Sequence, residues 1–536
     1  MKEITTSTEP LASLLNKQEV EDGQTYHPMI FVVEQPVDEG LLLYHTMTKA
    51  MLLLSSEEAR IYKSNPTALP QLIEKWFLVP NEHDDRRLSR QVKDVAKLVK
   101  EEKKSITGYT ILTTTDCNAR CFYCYEKGRP RRPMSNDIAL RTAQYIIDHC
   151  EKQKVSISWF GGEPLFNKSV ITTICHRLSE AGIDYSSSMI SNGYLFDDNT
   201  VKEAVAIWRL KRVQITLDGT ETIYNRSKAF IYKGVNAYQR VIANIHRLLE
   251  AGIRVSIRLN IDVHNTDNLK ELADELHQEF GGNDKLTVYL HMLFEMSDGC
   301  VAIKNEQERK TVFEKMKEIE TKLADYGLYE IKPLSEGITI NRCMADNEHS
   351  VVIEPAGNIG KCEHYSEDHF IGHIDSGDRD EAMVERFREC RDEIEACATC
   401  FDYPNCIWLK LCEDNAYCYP EMRENKLNKI RQSMLKTYQN YVKEKAEEKK
   451  IDILPLADYY VVVTRNKESG TIKDSFTLNE TGADMLKLFM EHKDTIAVAQ
   501  AIAEMYGAPL EDVKDDVTAF VETLREKGLF PDTTKP

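Results

Sequence analysis

Short apolar runs alternate with amphipathic stretches through the middle of the chain. The runs are rich in Val, Ile and Leu, as expected for strands buried in a sheet. They lie at 108–115, 155–160, 187–192, 212–218, 254–262 and 286–294. Between them, apolar residues recur at helical spacing, with Ser135 as a plausible N-cap and Gly252 as a C-cap. This order predicts an α/β fold with six parallel strands, a partial (βα)6 TIM barrel over residues 101–300.

Four distinctive segments follow predicted strands of this barrel. In one-letter code they are TTTDCNARC, WFGGEP, SNGY and LDG. In (βα) barrels the chemistry lies on the loops at the carboxyl ends of the strands. We therefore expect the active site where these four segments meet.

The rest of the chain is predicted to form further units around the barrel. Residues 1–100 contain β-rich runs followed by helices, which indicates a cap or a second recognition domain. Residues 301–431 include eight cysteines with little periodicity, as in a module organised by ligands. A charged helix is predicted as a linker over 432–454, and 455–536 are predicted to form a hairpin and three helices, a small winged-helix-like domain.

Composition narrows the possible functions. The chain has 536 residues, enough for several hydrophobic cores, and its formal net charge of -18 argues against general binding to nucleic acid or to a membrane surface. The first residues lack the apolar core of a signal peptide, and the run GLLLYHTMTKAMLLL is interrupted by polar residues and is too short to span a bilayer. We therefore expect a cytoplasmic protein.

Three cysteines occupy one predicted loop, with the spacing Cys117-x3-Cys121-x2-Cys124. Thiolates at this spacing suit zinc or an iron-sulfur cluster. A structural zinc site uses four protein ligands, whereas a cluster held by three leaves one iron open. Buried free thiols and structural zinc remain the alternatives to a cluster.

This loop resembles the signature of the radical S-adenosylmethionine enzymes, in which C-x3-C-x-aromatic-C follows the first strand of a partial barrel. Tyr123 occupies the aromatic position. The resemblance implies a [4Fe-4S] cluster on the three cysteines and a 5'-deoxyadenosyl radical that abstracts a hydrogen atom from the substrate. It also implies contacts to S-adenosylmethionine from a glycine-rich turn and from later strands; these residues are Gly161, Gly162, Glu163, Pro164, Ser191, Asn192, Asp218, Arg258 and Asn260.

The second cysteine field resembles the SPASM extension of radical enzymes that modify peptides. The resemblance implies two auxiliary [4Fe-4S] clusters, and so three clusters in the whole chain. The outer one would use Cys397, Cys400, Cys406 and Cys418, and the inner one Cys343, Cys362 and Cys412.

This field departs from the SPASM pattern in two places. Lys410 stands where a cysteine is usual, and no cysteine lies between Cys343 and Cys362. A fourth ligand of the inner cluster could be His349, Cys390 or none, in which case an open iron would bind substrate. A zinc ribbon is the alternative for the whole field. Glu363 is a candidate base in substrate oxidation, because sulfatase-maturing relatives place an acid comparably; an exposed loop carboxylate is the simpler interpretation.

The end of the chain resembles the PqqD-like element that binds leader peptides in the biosynthesis of ribosomally made peptides. Together the resemblances imply a peptide maturase that makes a thioether or carbon-carbon crosslink in a precursor peptide and receives electrons from flavodoxin or ferredoxin. The alternatives are an anaerobic sulfatase maturase, a peptide epimerase, and a metal-stabilised peptide-binding scaffold without activity.

Overall fold

The computed structural model describes most of the chain in two units, Met1–Gln432 and Ser433–Pro536, and each is treated by itself. The described residues are 1–5, 15, 18, 23–100, 105–151, 153–293, 305–335, 343–364, 369–377, 379–390, 392–406, 409–412, 418–447, 449–466, 472–492, 494–526 and 529. The last residue of the sixth predicted strand, Phe294, and also Cys300 lie outside these ranges. None of the helices in the described ranges has the length and apolarity needed to cross a bilayer.

The barrel prediction is confirmed by six parallel strands that are neighbours in chain order. They are β7 (Gly108–Leu112), β8 (Val155–Phe160), β9 (Tyr185–Ser191), β10 (Leu210–Thr216), β11 (Arg254–Ile261) and β12 (Leu286–Met292). The helices between and after them are α4 (Asn136–His149), α5 (Lys168–Glu180), α6 (Asp198–Ala206), α7 (Glu221–Lys228), α8 (Ala237–Glu250), α9 (Thr266–Phe280) and α10 (Glu306–Asp325). The Ser135 side chain accepts a hydrogen bond from the Ile138 N–H and so caps α4 as predicted.

The cysteine-rich region extends this sheet, which sequence periodicity did not show. Strand β13 (Ser350–Ile353) pairs in parallel with β7, and β14 (Asn358–Gly360) and β15 (Gly372–His373) continue in antiparallel pairing, which gives nine strands among the described residues. Every residue of β13 is buried, so its short run lacks the alternation that marks a half-exposed strand. Helix α11 (Glu381–Arg388) and 3-10 turns at Glu395–Thr399 and Tyr403–Asn405 follow.

The two faces of the barrel sheet differ in polarity. The helix-facing side chains, such as Ile157, Val213 and Ile257, are fully buried in the main core. The inner face instead carries polar side chains, and the Tyr289 hydroxyl donates to Gln214 Oε1 at 2.7 Å across two strands. A closed barrel is filled by branched apolar side chains. Here the polar inner wall lines part of an open cavity of about 730 Å³.

The N-terminal part of the first unit has its own core. Strands β1 (Lys2–Thr5), β3 (Val32–Val37), β4 (Gly40–His45) and β5 (Met51–Ser55) form an antiparallel sheet, and β2 (Tyr26–Pro28) pairs with β6 (Leu78–Pro80). Helices α1 (Ser56–Ser64), α2 (Pro70–Glu74) and α3 (Asp85–Lys100) complete it. The two β-rich runs expected here are therefore present.

The C-terminal region differs from its sequence prediction at one boundary. Helix α12 (Pro420–Glu447) ends before Lys449, and residues 449–454, predicted as part of the linker, belong to strand β16 (Lys449–Leu456). This strand pairs with β17 (Tyr459–Asn466), which pairs with β18 (Ile472–Leu478), so the sheet has three strands rather than two. The three predicted helices are α13 (Glu480–His492), α14 (Thr495–Tyr506) and α15 (Leu510–Glu526).

We predict opposite sensitivities for two neighbouring residues of β11. Ile257→Ala should lower the free energy of unfolding by about 2–5 kcal/mol, because a fully buried side chain leaves a cavity. Ser256→Ala should cost about 1 kcal/mol or less, since it removes one hydrogen bond, with Thr287 Oγ1 at 3.2 Å, on the cavity side. Chemical denaturation of both variants measures the difference, and equal losses would contradict this orientation of the strand.

Candidate active site and cysteine sets

The three-cysteine loop begins just after β7, beside the turns that follow β8 and β9. The Gly162 N–H donates to the Thr114 carbonyl at 3.0 Å, and the Glu163 N–H donates to the Asp116 carbonyl at 3.0 Å. Asn192, after β9, donates its side-chain amide to Asn118 Oδ1 at 2.6 Å. The structure thus brings together the segments that the sequence placed at the carboxyl ends of the strands.

The two glycines of the GGEP turn are required by this contact. A Cβ on Gly161 would lie 2.1 Å from the Thr114 carbonyl oxygen, and one on Gly162 would lie 2.4 Å from the Asp116 oxygen. Gly161 also has a φ of +116°, which disfavours any other residue. The glycines therefore let two backbone segments of this chain touch; their contact with a cofactor stays a prediction.

The Glu163 side chain is buried and hydrogen-bonds to the turns that follow β8 and β9. Its carboxylate accepts hydrogen bonds from the Ser191 hydroxyl at 2.9 Å, the Asn192 N–H at 2.8 Å and the Leu165 N–H at 3.2 Å. Complete burial raises its pKa to about 7, although these hydrogen bonds and Lys228 act in the opposite direction. Pro164 is buried beside it, and its carbonyl accepts from the Thr113 hydroxyl at 3.0 Å.

Asp218, predicted to contact the cofactor, has both carboxylate oxygens occupied by this chain. Asn260 donates to Oδ1 at 3.0 Å, the Lys228 ammonium lies 3.0 Å from Oδ2, and the Tyr123 hydroxyl donates to Oδ2. Tyr123 thereby links the three-cysteine loop to the strand ends beneath it. Asp218 and Asn260 are therefore held by groups of this chain, and their contact with a cofactor stays a prediction.

Lys228 was missed by the sequence analysis. It is the last residue of α7, where a lysine is normally exposed and favourable to the helix dipole, so no pattern marked it. In the structure only 3% of it is exposed, and its ammonium donates to the Tyr123 hydroxyl at 2.7 Å. Its carbonyl also accepts from the Arg120 N–H at 2.8 Å, so Lys228 touches the loop twice.

Arg258 connects this network to the last barrel strand. Its Nε donates to Asn260 Oδ1 at 2.9 Å, and its Nη2 lies 2.8 Å from His291 Nδ1. Burial, together with the charge of Arg258, lowers the pKa of His291 to about 4. His291 is therefore a neutral acceptor at physiological pH and was another residue that the sequence did not single out.

The cysteines assigned to the inner cluster lie together. Cys343, Cys362 and Cys412 all pack against the barrel core, and the charges of Cys343 and Cys412 act on the pKa of Cys362. Burial raises that pKa to about 12. The Ala345 N–H donates to Cys343 Sγ at 3.2 Å, a contact that would stabilise a thiolate. Their role as ligands remains a prediction.

The two candidates for a fourth inner ligand have different surroundings. The ring Nδ1 of His349 lies 2.9 Å from the Ser105 carbonyl oxygen, so this nitrogen is engaged with the chain before β7. Cys390 is exposed, and its backbone forms an isolated antiparallel β-bridge with that of Leu409. The fourth ligand of the inner cluster stays a prediction.

Glu363 directly follows Cys362 of the inner set. Burial is the main cause that raises the pKa of Tyr125 and that of Cys362, and the charge of Glu363 adds to both shifts. The adjacent His364 ring stacks on Tyr125 with centroids 4.6 Å apart, and Arg129 donates to the His364 carbonyl at 2.6 Å. This position is compatible with the predicted role as base, which stays a prediction.

The cysteines of the outer set lie against the N-terminal core. Cys397, Cys400 and Cys406 pack around Tyr403, whose ring stacks on Phe31 with centroids 6.1 Å apart. Burial raises the pKa of Cys400 to about 11, and the charges of Asp402, Cys406 and Cys418 also raise it.

Polar contacts tie the same loop to the turn after β4 and to α3. The Thr46 hydroxyl donates to the Phe401 carbonyl at 2.6 Å, and the Lys49 ammonium donates to Asn405 Oδ1 at 2.7 Å. Arg90 donates to the Tyr403 hydroxyl at 2.8 Å. Residues 395–406 contain only short 3-10 turns. Their conformation therefore depends in large part on these hydrogen bonds with the N-terminal part.

The three-cysteine loop suits a cluster in the chemistry of its donors. Its thiols are soft ligands, and the Ala119 N–H already donates to Cys117 Sγ at 3.3 Å. The Asn118 Nδ2 beside it is buried and has no hydrogen-bond partner among the residues that the structure describes. Within the described ranges, no group of three His, Cys, Asp or Glu side chains is arranged to hold a single metal ion.

Family models match two parts of the chain. Residues 111–278 match the model of the Radical SAM superfamily. Residues 462–529 match the model of Coenzyme PQQ synthesis protein D (PqqD). The first match covers the three-cysteine loop and the strand ends around it, and the second covers most of β17 through α15.

Individual relatives are distant. The Fe-coproporphyrin III synthase of Methanosarcina barkeri is 24% identical over 180 residues, which are 33% of this chain and 42% of that protein, so the alignment spans less than half of the relative. Native anSMEcpe with bound AdoMet has a TM-score of 0.49 at 13% identity, covering 62% of this chain and 99% of that one. Streptococcus suis SuiB bound to precursor peptide SuiA has a TM-score of 0.44 at 14% identity, covering 71% and 94%.

We predict that Gly162→Ala separates the GGEP turn from the three-cysteine loop. The new Cβ would lie 2.4 Å from the Asp116 oxygen, so the backbone must move. Binding of S-adenosylmethionine, measured by calorimetry on anaerobic protein, should weaken at least tenfold. Gly377→Ala is the matched control, because its Cβ would meet nothing within 4 Å. Equal binding by both variants would contradict the role given to this contact.

Proposed function

We propose that this chain, which carries a radical SAM domain and a PqqD domain, oxidatively modifies a ribosomally made precursor peptide. The modification would be a thioether or carbon-carbon crosslink. The observation that carries the proposal is the convergence of the three-cysteine loop, the GGEP turn and the polar network around Asp218 at one end of the barrel sheet. The modified peptide, the electron donor and the bond formed are all part of this proposal.

The residues at this end of the barrel would have different roles in the reaction. Cys117, Cys121 and Cys124 would hold a [4Fe-4S] cluster with one open iron, and the turns after β8 and β9 would contact S-adenosylmethionine. Together the bound cluster and cofactor would supply a radical that abstracts hydrogen. The protein itself orients the groups and limits water, because Glu163, Asp218 and Asn260 are buried. Glu163 accepts a hydrogen bond from the Ser191 hydroxyl, and Asn260 donates one to Asp218.

The two further cysteine sets support an oxidative reaction. After hydrogen abstraction, a crosslink requires the loss of a second electron, and an auxiliary cluster is a suitable acceptor. The inner set packs on the barrel core near Glu363, which would accept a proton from the substrate. The outer set, on the N-terminal core, would pass this electron on to an external acceptor. Flavodoxin or ferredoxin would donate the electron that starts the reaction.

The C-terminal unit is suited to hold a peptide. Its sheet has the order β16-β17-β18, so two strands have an open edge within the described part of this unit. Ile472 at the start of β18 is 60% exposed, and Leu456 at the end of β16 is 52% exposed. A leader peptide that adds as a strand would gain main-chain hydrogen bonds and apolar contacts at such an edge.

We predict that, of the three cysteine sets, only the three-cysteine loop is needed for cofactor cleavage. Cys117→Ala/Cys121→Ala/Cys124→Ala should abolish formation of 5'-deoxyadenosine from S-adenosylmethionine and dithionite, and should remove roughly four of about twelve irons. Cys150→Ala/Cys175→Ala is the matched control, because both thiols are buried in the barrel core outside the three cysteine sets. Zinc without iron in the wild-type protein would contradict the proposal and favour a binding scaffold.

The product then tests the reaction class. Wild-type enzyme, incubated with the short peptides encoded beside its gene, should release product that has lost two hydrogen atoms, as mass spectrometry would show. Deuterium incorporation from the solvent without that loss would indicate an epimerase. Conversion of Cys or Ser to formylglycine would indicate a sulfatase maturase.

We predict that the N-terminal part is needed to keep the outer cluster. Thr46→Val/Lys49→Met removes two donors to the outer loop while changing side-chain size little. Iron content should fall by roughly four, with 5'-deoxyadenosine formation retained. Lys75→Met, on an exposed ion pair with Glu3 at 3.0 Å, is the control. If the Thr46→Val/Lys49→Met variant kept the spectra of all clusters unchanged, this would contradict a role of the N-terminal part in keeping the outer cluster.

A further inference from the structure

Three buried polar atoms on the three-cysteine loop have no hydrogen-bond partner among the residues that the structure describes. They are Asn118 Nδ2, Tyr125 Oη and Glu126 Oε1. Folded proteins pair most of their buried polar atoms, because an unpaired one has lost its water without gaining a new partner. Three such atoms on one short loop therefore indicate groups that bind a ligand.

These atoms belong to two different parts of the loop. Asn118 Oδ1 accepts a hydrogen bond from Asn192, in the turn that is expected to contact S-adenosylmethionine. Tyr125 instead stacks on His364, with the two rings nearly parallel and their centroids 4.6 Å apart. His364 directly follows Glu363, the candidate base. The end of the loop that carries the two unpaired oxygen atoms thus contacts the segment of the candidate base.

The Tyr125 ring is held in one orientation by its neighbours. Arg129 donates from Nη2 to the His364 carbonyl at 2.6 Å, and its guanidinium carbon lies 5.3 Å from the centre of the Tyr125 ring. The Arg129 N–H donates to the Glu126 carbonyl at 3.1 Å, so a turn fixes the backbone here. Because the ring is already ordered, its hydroxyl can bind a ligand with little further loss of conformational entropy.

We propose that Tyr125 and Glu126 bind the main chain of the precursor peptide beside the cluster proposed on the three-cysteine loop. The Tyr125 hydroxyl donates to a carbonyl oxygen of the peptide, and Glu126 Oε1 accepts from a peptide N–H. A peptide backbone offers both groups at every residue except proline, so this pair recognises the main chain rather than one side chain. The inference rests on the proposed function and names how that site holds its substrate.

Loss of the Tyr125 hydroxyl should affect stability and activity differently. Tyr125→Phe keeps the stacked ring and removes an unpaired buried group, so the midpoint of thermal unfolding of the iron-loaded, peptide-free protein should stay the same or rise. The value of kcat/KM for peptide modification should fall roughly two- to tenfold, as for the loss of one hydrogen bond. Formation of 5'-deoxyadenosine without peptide should keep the wild-type rate.

Variants of Glu126 test the second contact. Glu126→Leu removes the acceptor and should lower kcat/KM roughly tenfold or more, because the lost hydrogen bond has a charged acceptor. Glu126→Gln keeps an oxygen in place and should lie between the wild type and Glu126→Leu. Tyr145→Phe is the matched control, since the Tyr145 ring also stacks on a histidine, His149, with centroids 4.0 Å apart, but lies on α4. Its kcat/KM should equal that of the wild type.

The peptide supplies an independent test of the same contact. Synthetic precursors in which one main-chain N–H at a time is replaced by an ester oxygen should identify a position that lowers kcat/KM of the wild-type enzyme. The same replacement should have little further effect on Glu126→Leu, because that variant has already lost the acceptor. Equal effects of every ester on the wild type and on Glu126→Leu would contradict the contact.

The remaining outcomes separate the inference from its alternatives. If the hydroxyl holds only an ordered water, Tyr125→Phe should lower the unfolding midpoint and leave kcat/KM unchanged, which would overturn the inference. Equal kcat/KM for the wild type, Tyr125→Phe and Glu126→Gln would also overturn it, even if Glu126→Leu failed to retain iron, and so would a fall that only follows a loss of iron. Absence of 5'-deoxyadenosine or of modified peptide with the wild type would overturn the proposed function itself.

Discussion

The close backbone contact between the GGEP turn and the three-cysteine loop is the constraint on which the site depends. Parallel strands place the loops that follow them at one edge of the sheet, but side chains normally keep neighbouring loops apart. Gly161 and Gly162 remove that separation, so the turn donates two N–H groups directly to Thr114 and Asp116. The first cysteine, Cys117, follows immediately and is positioned by this contact.

Below this contact, charged and polar groups replace the apolar filling of an ordinary barrel. Asp218, Lys228 and Tyr123 form one hydrogen-bonded group, and Asn260 and Arg258 continue it toward His291. Such a network is stable only if each buried group finds a partner, and the chain supplies these partners from several strands. The same network fixes the aromatic residue of the cysteine loop and places a cation beside the thiols.

The two remaining cysteine sets are supported by two different cores. The inner set packs on the barrel core, and the sheet itself extends through β13 to β15 into that region. The outer set packs on the N-terminal core around Phe31 and Tyr403. In the proposed reaction this arrangement separates the inner cluster, near the substrate, from the outer cluster, which passes electrons outward. It also gives the N-terminal part a structural role beside any role in recognition.

The sequence by itself determined the barrel strands, the order of its loops and the grouping of three cysteines in one loop. These features depend on local periodicity and on spacing along one loop, both of which are visible in the chain. The sequence did not reveal β13, whose short run is buried on both sides. It also did not reveal β16, whose first residues were predicted as part of a charged linker helix. It also missed Lys228 and His291, because a lysine at a helix end or a histidine in a strand carries no signal of its partners. Only the tertiary structure decided these, since burial and ion pairing arise between residues far apart in sequence, as between Lys228 and Tyr123.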